Sequence, residues 1–399
     1  MFFPISVKSL CEKSPVFGEW RTVNAVSTVN TGPRTATPGR QGAYFPPHTR
    51  SYPYNSVPIR TPQPRLETSA VFFRSASPSS RLRLLPCFSR KGFEKMTFRF
   101  YSILHGKAQG ENMTRNDKVG LVLEGGAMRG LFSAGVLDVL MENDLYPDGL
   151  IGVSAGAVFG CNLKSRQKGR VLRYNLRFCR DPRYCSWRSL LLTGDLFGKK
   201  FCYHTLPNEL DPFDKETFDS SPLEFYLVCT DVETGDPVYR KCTKADEECY
   251  EWMRASSSMP LVSRPVPIGG AKYLDGAISD AIPLKFFREK CFYSRNIVIL
   301  TQPASYRKRP QKGMRLLSLL LHNYPKIVEK LRTRHLAYNE AVSCAEELAR
   351  KGSVLLIRPE STLPAGRLCR EPELLQKTYD LGRLQGEKFL PQIRKFLGK

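Results

Sequence analysis

The sequence lacks several things that would have fixed its class at once. It has no C-x-x-C pair: its twelve cysteines, Cys161, Cys179, Cys185, Cys202, Cys229, Cys242 and Cys249 among them, stand singly and without the Cys/His spacing of a zinc site. That scatter points to reduced thiols in a cytoplasm. It has no apolar run near the roughly 20 residues that span a bilayer, since Leu316–Leu321 is closed off by His322 and Pro325. No secretory leader is expected, because Pro4 and Lys8 break the short apolar start Met1–Leu10. Neither an internal repeat nor an RNA motif, zinc knuckle or regular aromatic/basic interleaving is present, so no specific nucleic-acid partner is expected. The expectation is a soluble or peripheral, cytoplasmic protein.

Acidic residues are also scarce: 38 Asp and Glu face 61 Lys and Arg, a net charge of +23. Residues 1–112 hold 16 of those basic residues against 5 acidic ones, a net of +11. This stretch is crowded with Pro, Ser, Thr and Arg, as in Pro-Arg-Thr-Ala-Thr-Pro-Gly-Arg (33–40), and has neither a helical nor a strand period. It is expected to be disordered on its own, or to be an over-extended reading frame ahead of a start at Met96 or Met113. A basic balance suits anionic partners, and acidic membrane surfaces, RNA and DNA are all admissible. A solvated surface without a dedicated partner accounts for it equally well.

At 399 residues the chain has ample length for a sizeable core. Order is expected to begin at Lys118. Val119–Leu123 reads as a short buried strand that enters Glu-Gly-Gly-Ala-Met-Arg-Gly (124–130), and Leu131, Phe132, Ala134, Val136, Leu137, Leu140 and Met141 then share a helical face. Gly149–Val153 is a second strand that turns at Ser154 into a helix over 155–163. Strand, glycine-rich turn, helix, strand, sharp turn and helix is an α/β pattern with a parallel sheet. Further strands are expected at 224–230, 296–301 and 354–358. Helices are expected at 247–258 and 326–351, with one or two more over 373–397.

Three segments carry chemistry. Gly152-Val-Ser-Ala-Gly156 is a G-x-S-x-G between a strand and a helix, where the cramped turn raises the Ser154 hydroxyl above the sheet. Gly125-Gly-Ala-Met-Arg-Gly130 joins a strand to a helix and offers backbone N–H groups to a developing oxyanion. A phosphate loop is the weaker interpretation, because a proper G-x-G-x-x-G is missing. Leu274-Asp-Gly-Ala277 looks like a strand end that delivers one carboxylate into a tight turn.

In this order, the three segments resemble the patatin-like phospholipase family, closest to its bacterial members, over about residues 118–290. The resemblance implies a three-layer α/β/α fold with a mainly parallel sheet, and a C-terminal α/β extension, 291–399, packed on the catalytic domain. It implies an oxyanion hole at Gly125, Gly126, Ala127, Met128, Arg129 and Gly130. It also implies nucleophile Ser154 in the elbow Gly152, Val153, Ala155 and Gly156, and Asp275 as base in a turn with Gly276 and Ala277, with no histidine, metal or cofactor. Ser256-Ser-Ser-Met-Pro260 is similar to the helix end and proline that the family places before the aspartate strand. Ala127 departs from a third glycine found in many members, and its methyl group disfavours positive φ. Arg129 would steady a lipid phosphate or pair with a surface acid.

The implied function is hydrolysis of fatty-acyl lipid esters through an acyl-enzyme, with peripheral contact to anionic membrane and the oligomeric state left open. Two alternatives remain. One is an α/β-hydrolase triad of Ser154, Asp275 and His322 or His335, although both histidines lie in basic, helix-like stretches. The other is a non-catalytic binder of anionic membrane or nucleic acid.

Overall fold

The computed structural model describes residues 118–399. The expectations for residues 1–112 lie outside the described residues.

The first strand, β1 (Val119–Leu123), is followed by a short turn of 3-10 helix, Ala127–Gly130, and by α1 (Leu131–Glu142). Next come β2 (Gly149–Val153), α2 (Ala155–Lys164), α3 (Arg170–Phe178), α4 (Trp187–Thr193), a π-helical stretch Phe201–Leu210, and α5 (Lys215–Ser220). The chain continues through β3 (Glu224–Asp231), β4 (Pro237–Cys242), α6 (Glu247–Ser256), β5 (Val266–Ile268), β6 (Ala271–Asp275), α7 (Leu284–Glu289) and β7 (Arg295–Ile299). It closes with α8 (Met314–Leu320), α9 (Pro325–Arg350), β8 (Val354–Ile357) and α10 (Pro372–Leu397).

All eight described strands form one sheet. Strands β3, β2, β1, β7 and β8 are parallel neighbours, while β4 and β6 pair antiparallel with β3, and β5 with β6. The five residues of β1 and of β2 are buried without exception, as parallel strands covered on both faces must be. Their side chains alternate between two cores. Leu121, Leu123, Leu150, Ile297 and Ile299 pack under α1, α2, α6 and α10, whereas Val122, Ile151, Val153 and Val298 pack against α7 and α9. The result is the expected three-layer α/β/α sandwich. The edge strand β4 was not anticipated, because Arg240 and Lys241 face solvent and break an apolar signal.

Helix α1 is buried from Leu131 to Met141, so a partner must cover the side away from the sheet. That partner is α10. Tyr379 donates its hydroxyl proton to Asp138 Oδ2 at 2.6 Å, and Arg383 holds Glu142 through two bonds of 2.8 Å. The helices approach so closely that a Cβ on Gly382 would lie 2.0 Å from the Phe132 carbonyl oxygen.

Gly382→Ala is therefore expected to destabilise the chain by roughly 3 kcal/mol, the upper end for overpacking, because backbone has no room to yield. Urea unfolding monitored by circular dichroism measures it. A midpoint equal to wild type would show that the two helices separate without cost.

Candidate active site

The sheet itself delivers the two halves of the site. Each β3 residue has two edges: Val228 pairs with Tyr239 of β4 on one and with Val153 of β2 on the other, and Cys229 pairs with Val238 and with Asp275. Strands β2 and β6 thus share one edge of β3, arriving from opposite directions and ending at adjacent positions. Ser154 follows the end of β2, and Asp275 is the end of β6. Their side chains meet: Ser154 Oγ donates to Asp275 Oδ2 at 2.8 Å. The pair is nearly dry, with Ser154 7% and Asp275 2% exposed. Beyond Asp275 the chain must pass flat against β3, and Gly276 permits it, since a Cβ there would lie 2.2 Å from the Val228 carbonyl oxygen.

Ser154 is held at φ 55°, ψ −123°, a left-handed φ that an ordinary side chain avoids. Its N–H donates to Ser256 Oγ at 3.0 Å, and Ser256 in turn donates to the Val228 carbonyl at 2.7 Å. The end of α6 grips the aspartate too, because the Ser258 carbonyl accepts the Asp275 N–H at 2.8 Å. Val153 is buried beneath the turn, and Ala155 with Gly156 opens α2. Gly152 and Gly156 pack so closely that a Cβ on Gly152 would lie 2.4 Å from the Gly156 carbonyl oxygen.

The glycine-rich loop lies against this turn: a Cβ on Gly125 would sit 2.8 Å from Ser154 Cβ. Three of its six amides are already engaged, Met128 N–H by the Arg367 carbonyl at 3.3 Å, Arg129 N–H by the Gly126 carbonyl at 3.2 Å, and Gly130 N–H within the 3-10 turn itself. Gly130 sits where a Cβ would meet the Phe159 ring at 2.9 Å, so its part is to let α1 reach α2. Among the described residues the amides of Gly125, Gly126 and Ala127 have no hydrogen-bond acceptor, which leaves them as donors for an oxyanion. Ala127 adopts φ 50° despite its methyl group, a strain of about 1–2 kcal/mol.

Behind the loop stands Glu124, a buried carboxylate that sequence reasoning passed over. It accepts from the Thr301 N–H at 2.6 Å and from the Tyr338 hydroxyl at 2.9 Å, while Thr301 Oγ1 donates to the Gly125 carbonyl at 3.1 Å. Helix α9 reaches both loops, since it carries Tyr338 and also Arg334, whose Nε donates to the Ala277 carbonyl. Arg129 meets no carboxylate at ion-pair distance among the described residues. Burial, and then Arg367, lower its pKa against the pull of Glu124.

Burial raises the pKa of Asp275 above its ordinary 3.8, against the Ala277 N–H bond, the Arg334 charge, the Ser154 bond and the Arg367 charge, which all favour the anion. No imidazole stands between nucleophile and carboxylate. His322 is exposed and bonds the Leu319 carbonyl at 3.0 Å, and His335 lines a different cavity. Ser154 also lines a cleft walled by Val158, Phe159, Leu196, Phe197, Leu206 and Met253. An apolar cleft that ends at a nucleophile suits an acyl chain. His204, Glu247 and Glu251 bring ligand atoms within 4.8 Å of one another, yet Glu251 is held by Arg254 at 2.6 Å and Lys199 at 2.9 Å. That cluster is an ion-pair network.

Residues 121–288 match the patatin-like phospholipase family, and residues 324–398 match a domain of unknown function, DUF6363. The uncharacterized protein YjjU of Escherichia coli is 30% identical over 291 residues, which are 70% of this chain and 79% of YjjU. The lysophospholipase NTE1 of Debaryomyces hansenii is 29% identical over 44% of this chain, and the triacylglycerol lipase ptl2 of Schizosaccharomyces pombe 22% identical over 47%. The matches span only 11% and 33% of those two proteins.

The raised pKa of Asp275 has a consequence for stability. The folded chain keeps this proton to higher pH than the unfolded chain, so stability is lost as pH rises from about 4 through the folded pKa. Asp275→Asn is therefore expected to be more stable than wild type at pH 7, with the difference vanishing below about pH 4. Urea midpoints across that range test this, and a variant less stable at pH 7 would show that the hydrogen bonds outweigh burial.

Proposed function

Because the chain belongs to the patatin-like phospholipase family, whose members are lipid ester hydrolases, we propose that it cleaves fatty-acyl esters with a Ser154–Asp275 dyad through an acyl-enzyme. The observation that carries this reading is the direct 2.8 Å bond from Ser154 Oγ to Asp275 Oδ2. Asp275 takes the hydroxyl proton as Ser154 Oγ attacks the ester carbonyl, and the Gly125, Gly126 and Ala127 amides receive the oxyanion. The carbonyl re-forms as the alcohol leaves with the proton from Asp275. Water then gives its proton to Asp275 and attacks the acyl-serine, releasing the fatty acid as Ser154 recovers its proton.

Ser154→Ala and Asp275→Asn are each expected to lower hydrolysis of short-chain p-nitrophenyl esters by about 10²–10⁴, while the exposed His322→Ala stays within about twofold of wild type. Wild-type kcat/KM falls as pH drops through the raised pKa of Asp275, since only the anion accepts a proton. Full activity in either dyad variant would remove its residue from the mechanism.

Among the described residues no helix is long and apolar enough to cross a membrane. Lipid access is assigned to α4, where Trp187, Leu191 and Leu192 are 65%, 86% and 72% exposed. The chain beyond it supplies Leu196 and Phe197 to the acyl cleft, and exposed Leu261 stands beside Met259 and Val262 of the same wall. Exposed Arg188, Lys200 and Arg264 flank this surface. Burying each large side chain in lipid contributes roughly 1.5–3 kcal/mol, and the cations favour an anionic leaflet. Leu191→Glu/Leu192→Glu is expected to reduce hydrolysis of vesicle lipid at least about tenfold more than that of a soluble ester. Equal losses on both substrates would place the contact elsewhere.

A further inference from the structure

A cluster of uncompensated positive charge lies apart from the acyl cleft, with which it shares no lining residue. A second cavity is lined by Arg307, Lys308, Arg309, Arg334, His335 and Arg367, and by no carboxylate. Arg307 is paired with Glu346 at 3.1 Å. Among the described residues Lys308, Arg309, Arg334 and Arg367 have no ion pair. The neighbouring acids are already engaged, Glu124 by Thr301 and Tyr338, and Asp275 by Ser154 and the Ala277 N–H. Buried polar atoms here also lack partners: Arg129 Nε, beside this cluster, and His335 Nδ1 on its wall.

Like charges collected in a partly dry place raise one another's energy unless an anion joins them. Lys308 records the strain. Burial first, and then Arg334, Arg367 and Arg129, bring its pKa down to about 7 against the attraction of Glu124, while its ammonium lies 4.0 Å from the centre of the Tyr338 ring. The cavity adjoins the catalytic machinery through two contacts: Arg334 bonds the Ala277 carbonyl, and the Arg367 carbonyl accepts the Met128 N–H of the glycine-rich loop. The site is thus joined to one cavity with a largely apolar wall and to another with a cationic wall, the division that an acyl chain and an anionic headgroup require.

We propose that the cavity walled by Lys308, Arg334, His335 and Arg367 binds a phosphomonoester, and that the preferred substrate is an acyl glycerol phosphate, an assignment that rests on the hydrolase reading above. A dianion matches several unpaired cations better than a diester does, and a choline headgroup would bring a further cation among them with no carboxylate to receive it.

Binding is tested in the full chain carrying Ser154→Ala, which separates it from catalysis. Glycerol 3-phosphate, inorganic phosphate and glycerol are titrated by calorimetry into this protein and into the same protein with Lys308→Gln, Arg367→Gln or Lys308→Arg. Saturable binding of glycerol 3-phosphate is expected, absent for glycerol, weakened at least about tenfold by either glutamine change and restored by Lys308→Arg. In the active chain, kcat/KM for an acyl glycerol phosphate should exceed that for the matching monoacylglycerol at least about tenfold, and this ratio should fall in Lys308→Gln. No phosphate binding, or binding indifferent to these substitutions, overturns the site. Binding of phosphate without any substrate preference in an active enzyme overturns the substrate assignment and makes the ligand free phosphate. A wild type inactive on every ester overturns the hydrolase reading while leaving the calorimetric result to stand by itself.

Discussion

Val228 and Cys229 are neighbours on β3, and the arrangement of the site depends on what pairs with them along one edge. Strand β2 leaves the sheet after pairing with the first, and β6 enters from the opposite direction to pair with the second. Two chain segments more than a hundred residues apart in sequence are thereby brought end to end by backbone hydrogen bonds. These are among the least compliant interactions in the fold. The strained turn at Ser154 and the tight passage of Gly276 both follow from so little space. Ser256 belongs to the same constraint, because it satisfies the buried Ser154 N–H with a hydroxyl anchored on the Val228 carbonyl.

The C-terminal segments complete what the sheet begins. Helix α9 holds Glu124 behind the glycine-rich loop through Tyr338 and holds the aspartate turn through Arg334. Helix α10 covers α1, the helix into which the glycine-rich loop feeds. Strand β7 adds to this unity by pairing with β1 at the centre of the sheet. The region matching the domain of unknown function therefore supplies walls and braces to the region matching the patatin-like phospholipases.

Much of this was legible in the sequence where burial is uniform or chemistry is local. The strands at 119–123 and 149–153, the helix after Ser154, and the long helices near both ends announce themselves through unbroken or periodic apolar positions. The short helices α4, α5, α7 and α8 did not, since each is too brief for a period to register, and α3 was passed over although Val171, Tyr174 and Phe178 recur at helical spacing. The catalytic candidates were readable because glycines must stand beside them. Glu124 and Tyr338 were not, because a lone polar residue after a strand or inside a long helix has no local signature; Ser256 was noted only as part of a helix end, and its bond to the Ser154 N–H appears only in the fold. The occupancy of the Met128 N–H depends on a carbonyl at Arg367, far along the chain. The cationic wall was half visible: Tyr306-Arg-Lys-Arg-Pro310 is a charge run, whereas Arg334 and Arg367 join it only through folding.

The short antiparallel pairing of β6 has a consequence of its own. It rests on three residue pairs, Cys229 with Asp275, Thr230 with Leu274 and Asp231 with Tyr273. Sliding β6 by a single residue away from β2 would set Asp275 opposite Thr230 and turn the carboxylate to the opposite face of the sheet. Spectroscopic probes of secondary structure would not see such an error, but an ester would. On the proposed dyad, turnover is thus a sensitive gauge of whether the sheet has zipped up in the right register.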